Sequence, residues 1–416
     1  MLNVEPRFAL RKPMATLRAL AVWGPGLLVM LADTDAGNVV TAAQSGAMWG
    51  YRLLPLTLLL IPLLFMVQEL TIRLGIFTAR GHAALIRDTF GRGWAWLSIA
   101  SLAVATIGSL ITEFTAIAGI GALYGISRDI TLPLAVVLLL TVVATGSYRR
   151  VEWLALAVGL FEIAFIAVAW AAHPTFAQLA SEATRLPLAN HAFLYLGAAI
   201  IGTTFNPWMI FYQQSATVQR RLRPRDLTQA RWDTGIGALL TQCLTGAVLI
   251  AAAALLPGAR DHIRLETVGD ISQAFVPLMG SKTGRLIFSL GVLGASLVAA
   301  IVSSLAFAWS IEELASTPRT HDSRLLAADL FSSIYVASVG GAAALAWAVR
   351  DLVSLNIAAQ VLNAFLMPLV LGFLIALAAR VLPHNTRLRG VYLWLVIVTT
   401  TIVCSIGIYG GIVGVT

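Results

Sequence analysis

The stretch LADTDAGNVV, residues 31 to 40, places two aspartates and an asparagine in the middle of an apolar run that extends from Leu20 to Trp49. A run of this length predicts a membrane-spanning helix, for which about 20 apolar residues suffice. An ionised aspartate at the centre of a bilayer costs about 2.5–3.5 kcal/mol on insertion scales, so it is expected only where a partner or a function requires it. The stretch therefore predicts a functional break in the first membrane helix.

The rest of the 416-residue chain has the composition of a polytopic membrane protein, because 58% of it is hydrophobic and only 12% is charged. Soluble domains carry about twice that share of charge. No signal sequence with a small-residue cleavage site precedes the first span, so this span is expected to remain in the mature protein. The apolar runs predict eleven spans: Leu20–Trp49, Leu53–Gly75, Ala95–Leu123, Ile130–Gly146, Val151–Ala171, Phe193–Val218, Ile236–Leu256, Leu286–Trp309, Leu325–Val349, Leu355–Ala379 and Val391–Val413.

The basic residues predict the orientation of these spans. When the loops are assigned alternately to the two sides, twenty of the 28 Lys and Arg residues fall on the side of the N-terminus. The other eight are Arg52, Arg128, Arg185, Arg260, Arg264, Lys282, Arg285 and Arg350. Basic loops stay in the cytoplasm, so we expect a multi-pass protein of the inner (plasma) membrane with its N-terminus inside and its C-terminus outside. The net charge of +8 is then a feature of topology beside anionic lipid headgroups, and no nucleic-acid partner is expected.

A second break is predicted at IGTTFNPWM, residues 201 to 209, where Gly202 and Pro207 flank Asn206. A helix can break at membrane depth only where it lines a cavity inside the protein. The two interrupted spans each open a set of five helices, which is the arrangement of transporters built from LeuT-like inverted repeats. We therefore expect an all-α, single-domain transporter, with repeats at about 17–172 and 190–381 and an extra helix at 391–413.

The two breaks offer oxygen ligands to a cation. Asp35 and Asn38 are three residues apart and can face one side of a partly unwound turn, while Thr203 and Asn206 face them from the second break. Carboxylate, amide and carbonyl oxygens favour hard cations such as Mg²⁺ or Mn²⁺. Asp33 lies two residues before Asp35 and is expected to point elsewhere, either to the vestibule or to a structural hydrogen bond, and not to be a ligand. The alternative is that Asp35 is only a helix cap and Asn206 only a buried amide satisfied by backbone.

The run GPGLLVMLADTDAGNVVTAAQSGAMWGYRLL, followed by VQELTIRLGI, resembles helices 1 and 2 of the Nramp family of divalent-metal transporters. It is most similar to the branch of Nramp-related magnesium transporters. The resemblance implies metal ligands at Asp35 and Asn38. The family's helix-6 motif falls on residues 203–208, so that Thr203 replaces the family's alanine and Asn206 its methionine, the only soft ligand. The resemblance thus implies transport of Mg²⁺, with Mn²⁺ as a second candidate.

The resemblance also assigns residues beyond the two breaks. A glutamine of helix 10 that contacts metal in the family corresponds to Gln360, whose other interpretation is a polar residue that bridges helices. The family's proton-carrying histidine corresponds to Trp208, and its two acidic positions on helix 3 correspond to Glu113 and Ala116. A proton relay is therefore not expected, and Glu113 and Trp208 line the permeation path or a former proton path. Uptake would then be driven by the inside-negative membrane potential.

Other functions remain open at this point. A transporter of a small organic solute could use the same fold, although Asp35 would repel a substrate carboxylate and would accept only an organic cation. An ion channel is also compatible with interrupted helices. The sequence contains no H-E-x-x-H, G-x-S-x-G or P-loop motif and no cluster of histidines, so no enzymatic activity and no resident cofactor are expected. The oligomeric state is not indicated.

Overall fold

The computed structural model describes residues 24–144, 148–174, 176–255, 271, 281–315, 321–348 and 352–415. Within these residues the chain forms helices and contains no strand. In chain order the helices are α1 (Pro25–Asp33), α2 (Ala36–Trp49), α3 (Leu54–Thr78), α4 (His82–Phe90), α5 (Arg92–Leu123), α6 (Arg128–Ala144), α7 (Tyr148–Gly159), α8 (Ala164–Ala171), α9 (Phe176–Ala183), α10 (His191–Thr204), α11 (Pro207–Gln219), α12 (Leu227–Leu255), α13 (Ser281–Ala315), α14 (His321–Ala348), α15 (Leu352–Arg380) and α16 (Gly390–Val415). The 3₁₀ segment Leu160–Ile163 connects α7 to α8, and the 3₁₀ segment Pro224–Asp226 precedes α12.

The predicted number of eleven spans is not confirmed. Nine helical segments of the described chain are long and apolar enough to cross a membrane. The first predicted span is divided into the short helices α1 and α2, and the fourth forms α6, which has 17 residues. The predicted span ends Leu20, Gly146, Leu256 and Val349 lie outside the described residues, as does the basic N-terminal tail. Pro368 lies inside α15, which continues through it without interruption.

The two interrupted helices form the centre of the molecule. The helix α12 packs along α1, α2 and α3, while α10 and α15 cover α2 from another side. Small residues allow this close packing: a Cβ at Gly46 of α2 would overlap the carbonyl oxygen of Leu249, and one at Gly237 of α12 would lie 2.8 Å from Met30 Cγ. The halves of both broken helices are therefore held inside the protein, while large apolar side chains such as Leu59, Trp170 and Val391 are exposed on the outer helices, as expected for a surface in lipid.

Candidate functional site

The first membrane helix is interrupted between α1 and α2, at Thr34 and Asp35. Thr34 has φ −78° and ψ 40°, and Asp35 is extended with φ −64° and ψ 174°. Both residues are fully buried. The break predicted within LADTDAGNVV is thus confirmed, and it lies inside the protein, where side chains can replace the lost backbone hydrogen bonds.

The second interruption separates α10 from α11, at Phe205 and Asn206. Asn206 is extended with φ −64° and ψ 130°, and Pro207 begins the next helix, where its missing N–H is not needed. The helix ends near Gly202, against which the backbone of Gln360 packs so closely that a Cβ would overlap its carbonyl oxygen. The second predicted break is therefore confirmed as well, and α15 lies directly on it.

Asp35 is the cap of α2 and also retains a free oxygen. Its Oδ1 atom accepts a hydrogen bond of 2.7 Å from the backbone N–H of Asn38. Its Oδ2 atom is buried and has no hydrogen-bond partner among the described residues. The two interpretations of Asp35, helix cap and cation ligand, are therefore compatible, because each uses a different oxygen.

Glu113 of α5 reaches the same helix end. Its Oε2 atom accepts a hydrogen bond of 3.2 Å from the N–H of Ala36, and its Oε1 atom accepts one of 3.3 Å from the Thr112 hydroxyl. Two carboxylates thus meet at the N-terminus of α2, where the partial positive charge of the helix favours negative groups. Glu113, the acidic position that the resemblance assigns to the family's third membrane helix (α5 here), is thus in direct contact with the backbone of the first break.

Hydroxyl groups of α12 contact residues on both sides of this break. Thr245 donates a hydrogen bond of 2.8 Å to Asn38 Oδ1, and the hydroxyls of Thr241 and Thr34 lie 2.8 Å apart. The Asn38 Nδ2 atom is buried without a partner among the described residues. One helix therefore orients groups on both sides of the interruption.

A cluster of amides lies at the second break. Asn206 Nδ2 donates a hydrogen bond of 3.0 Å to the carbonyl of Thr203, whose own hydroxyl donates to Ile200. Asn363 of α15 donates to Asn206 Oδ1 and also, over 3.0 Å, to Gln360 Oε1. The sequence interpretation missed Asn363. The available signal was its position three residues after Gln360, on the same face of an otherwise apolar helix.

The two breaks meet through Gln360. Its Nε2 atom has no hydrogen-bond partner among the described residues and packs against Gly37, where a Cβ would overlap it. The structure thus brings together Asp35, Asn38 and Glu113 from one side and Thr203, Asn206 and Gln360 from the other, all at most 1% exposed. Trp208 is fully buried in the first turn of α11, and its Nε1 atom makes no hydrogen bond within the described chain.

Two further carboxylates lie beside the first break. Asp33, expected to face the vestibule or to make a structural hydrogen bond, lies next to Asn206 and Thr241, and its side chain is fully buried. Glu162, in the 3₁₀ segment Leu160–Ile163, is fully buried near Thr34. Within the described residues, the charged groups that act on Asp33, Glu113 and Glu162 are all acidic. The region therefore has the electrostatic character of a cation site.

Carboxylates alone do not complete such a site. No three His, Cys, Asp or Glu side chains in the described parts of the chain lie close enough together to hold a metal ion. A cation bound between the two breaks must therefore take amide and carbonyl oxygens as well as carboxylates. This mixed set of hard donors suits a small cation that retains some of its waters.

The chain was compared with known families and proteins. A sequence model described as "Nramp: Natural resistance-associated macrophage protein-like" matches residues 26–412. The divalent metal cation transporter MntH of Brucella suis biovar 1 (strain 1330) is 29% identical over 303 residues, which cover 70% of this chain and 66% of that protein. MntH of Klebsiella pneumoniae subsp. pneumoniae is 28% identical over 302 residues, which cover 69% of this chain and 70% of that protein. The chain thus spans about two thirds of the length of these relatives.

Solved structures share the fold. The manganese transporter of Eremococcus coleocola, in complex with an aromatic bis-isothiourea compound, matches 99% of this chain and 90% of its own with a TM-score of 0.74 and 18% identity. A Na⁺-coupled sialic acid symporter in a substrate-bound, outward-open state matches 94% and 90% of the two chains with a TM-score of 0.61 and 14% identity. These likenesses confirm the predicted LeuT-like fold, and at such identities they concern the fold alone.

Proposed function

Because the chain belongs to the natural resistance-associated macrophage protein-like (Nramp) family, we propose that it carries divalent metal cations across the membrane, with Mg²⁺ as the preferred ion and Mn²⁺ as a second substrate. The observation that carries this proposal is the set of hard donors between the two helix breaks. One carboxylate oxygen of Asp35 has no partner among the described residues, and the amides of Asn38, Asn206 and Gln360 are buried at the same two breaks. Such oxygens favour hard cations.

The relatives support the class of substrate. The curated proteins at 28–29% identity are named divalent metal cation transporters, and the structural neighbour is named a manganese transporter. Those names describe those proteins. They make a divalent cation the most economical occupant of the site.

Preference for Mg²⁺ rests on Asn206. At this position the Nramp resemblance places a methionine, whose thioether favours transition metals. Asn206 offers an amide oxygen instead, and Asn363 holds that amide in place through a hydrogen bond to its Oδ1 atom. A site without sulfur ligands gives no extra stabilisation to Mn²⁺ over Mg²⁺, so the far more hydrated Mg²⁺ can compete.

Transport without protons is part of the proposal. Trp208 stands where the resemblance places a proton-carrying histidine. Of the two positions that are acidic in the family's third membrane helix, Glu113 alone is acidic here, and the other is Ala116. Glu113 accepts hydrogen bonds from Ala36 and Thr112, which indicates a role in fixing α2. We infer that the ion enters by alternating access, from the side of the C-terminus to the cytoplasmic side of the N-terminus, down the membrane potential.

The test is metal uptake by purified protein in liposomes, with Mg²⁺ and Mn²⁺ dyes inside. We expect saturable uptake of both ions, with Mg²⁺ competing against Mn²⁺ at comparable concentrations. Excess putrescine, a small organic dication, should leave the flux unchanged. Absence of both metal fluxes, or block by the amine, would contradict the proposal.

The substitution Asn206→Met tests the selectivity. The new thioether should increase the preference for Mn²⁺ or Cd²⁺ over Mg²⁺ by about tenfold or more, measured as the ratio of kcat/KM values in the same liposomes. Asn385→Met makes the same exchange at an exposed turn and is the control. An unchanged ratio for Asn206→Met would show that this position does not contact the ion.

A further inference from the structure

Asp33 is a poorly compensated acidic residue at the first break. It is the last residue of α1, its side chain is fully buried, and within the described residues the only groups that favour its charge are the neutral side chains of Asn206 and Thr241. Buried charges are normally paired or coordinate metals, because leaving one without a partner is strongly unfavourable. The position therefore lacks a positive counter-charge within the described chain.

Asp33 and Asp35 lie at opposite kinds of helix end. Asp35 lies at the N-terminus of α2 and accepts the Asn38 N–H, so the backbone stabilises its negative charge. Asp33 lies at the C-terminus of α1, where the partial charge of the helix is negative and repels a carboxylate. The backbone thus stabilises one carboxylate oxygen of Asp35, whereas no backbone N–H of the described residues stabilises Asp33.

The surroundings of Asp33 connect it to the proposed path. It lies beside the Asn206 amide and the Thr241 hydroxyl, and the charged group that acts on it within the described residues is Asp35, which has the same sign. Asn206 belongs to the second break and contacts Asn363 and Thr203. Asp33 therefore faces the space between the two interrupted helices.

We propose that Asp33 is the second carboxylate of the cation site, directly or through a retained water, so that Asp33 and Asp35 together balance the two charges of a divalent ion. This inference rests on the proposed function and deepens it. Thr241 of α12 orients the Asp33 side, as Thr245, one turn further on, orients the Asn38 side. A pair of carboxylates also distinguishes a divalent from a monovalent cation, since only the divalent ion neutralises both.

The experiment compares Asp33→Asn with wild type by Mg²⁺ uptake in liposomes and by thermal unfolding in detergent, with and without Mg²⁺. We expect the KM for Mg²⁺ to rise about tenfold or more. Without Mg²⁺ the variant should unfold at the same temperature as wild type or higher, because an unpaired buried charge has been removed. The stabilisation that Mg²⁺ gives to wild type should be lost. Asp226→Asn, which removes a buried carboxylate at the distant 3₁₀ segment Pro224–Asp226, should behave as wild type in its response to Mg²⁺.

Each other result is decisive. An unchanged KM and an unchanged response to Mg²⁺ would overturn the inference, and so would a variant that fails to fold or unfolds at a lower temperature without metal, because this identifies a structural role. Asp33→Glu should restore part of the Mg²⁺-dependent stabilisation if charge is what matters. If wild type neither transports Mg²⁺ or Mn²⁺ nor is stabilised by them, the proposed function itself fails. Wild-type activity together with an indifferent Asp33→Asn removes only this inference.

Discussion

Asp35 uses its two carboxylate oxygens for different purposes. One oxygen accepts the N–H of Asn38 and fixes the start of α2, while the other is buried without a hydrogen-bond partner in the described part of the chain. A carboxylate held in this way cannot rotate without losing its hydrogen bond, so the free oxygen has a defined position before any ion arrives. Such pre-organisation reduces the entropy lost on binding.

Two substitutions separate these purposes. Asp35→Asn keeps an oxygen that can accept the Asn38 N–H, whereas Asp35→Ala removes it; replacing a cap by alanine costs about 0.5–2 kcal/mol. Both variants should lose Mg²⁺ uptake, but only Asp35→Ala should also show a lower free energy of unfolding, measured by denaturant titration. Uptake by Asp35→Asn at the wild-type rate would show that the negative charge is not required.

At this scale the sequence marks some residues more clearly than others. Asp35, Asn38 and Asn206 stand out because each is polar inside an apolar run, whereas Gln360 follows from the Nramp resemblance. Asp33 was expected to point away, since side chains two apart in a helix do not share a face. That spacing rule does not apply here, because the backbone leaves the helix at Thr34 and Asp35, so Asp33 and Asp35 do not belong to one continuous helix.

The helix α12 positions both halves of the first interrupted helix. Asp233 accepts hydrogen bonds from the N–H groups of Gly24 (3.2 Å), Gly26 (2.7 Å) and Leu27 (3.3 Å), which would otherwise be unpaired at the start of α1. Thr245, three turns further along α12, holds Asn38 of α2. A single continuous helix thus serves as the frame for a broken one.

Removal of the Asp233 carboxylate should loosen α1 alone. In Asp233→Ala, three N–H groups lose their acceptor, and a lost cap of about 1 kcal/mol corresponds to roughly fivefold faster local opening. Hydrogen exchange measured by mass spectrometry should therefore be faster in peptides that cover α1 and unchanged in those that cover α2. Asp233→Asn, which retains an acceptor oxygen, is the matched control. Equal acceleration in α1 and α2 would show that α12 does not act on the two halves separately.

The helix breaks could be predicted because glycine, proline and polar residues coincide there. The 3₁₀ segment Leu160–Ile163 could not, since it lies in an apolar run that reads as one helix. Its causes are tertiary: Gly159 packs on Leu31 of α1, and Gly294 of α13 lies against the carbonyl of Val158. Contacts between distant helices leave no local sequence signal. Asn363 differs, because its spacing from Gln360 is a local signal, but only the packing of α15 shows its hydrogen bond to Asn206.

At the scale of the whole molecule, one end is closed by an ionic cluster. Glu69 of α3 accepts hydrogen bonds from Arg73 (2.6 and 2.7 Å) and from Arg231 of α12 (2.7 and 2.9 Å). Arg73 also donates to the carbonyl of Thr386, between α15 and α16. The distribution of loop charges predicts that this end lies in the cytoplasm. Under the proposed alternating access, release of an ion on that side requires these helices to separate.

The last prediction concerns the driving force. A divalent ion gains about 4.6 kcal/mol per 100 mV, twice the value for one charge, so uncoupled flux should reverse at about 30 mV for each tenfold Mg²⁺ gradient. We expect liposomes with tenfold more Mg²⁺ inside to show no net flux when the interior is about 30 mV negative, set by K⁺ and valinomycin, and the same reversal potential when a pH gradient of about one unit is added. We expect no proton coupling for two reasons. Trp208 stands where the resemblance places a histidine, and Glu113 already accepts a hydrogen bond from the N–H of Ala36. Empty liposomes are the control. A reversal potential that moves with the pH gradient, or acidification of the interior during uptake, would show that protons travel with the metal and that another carboxylate, with Glu162 the first to be tested, replaces the missing histidine.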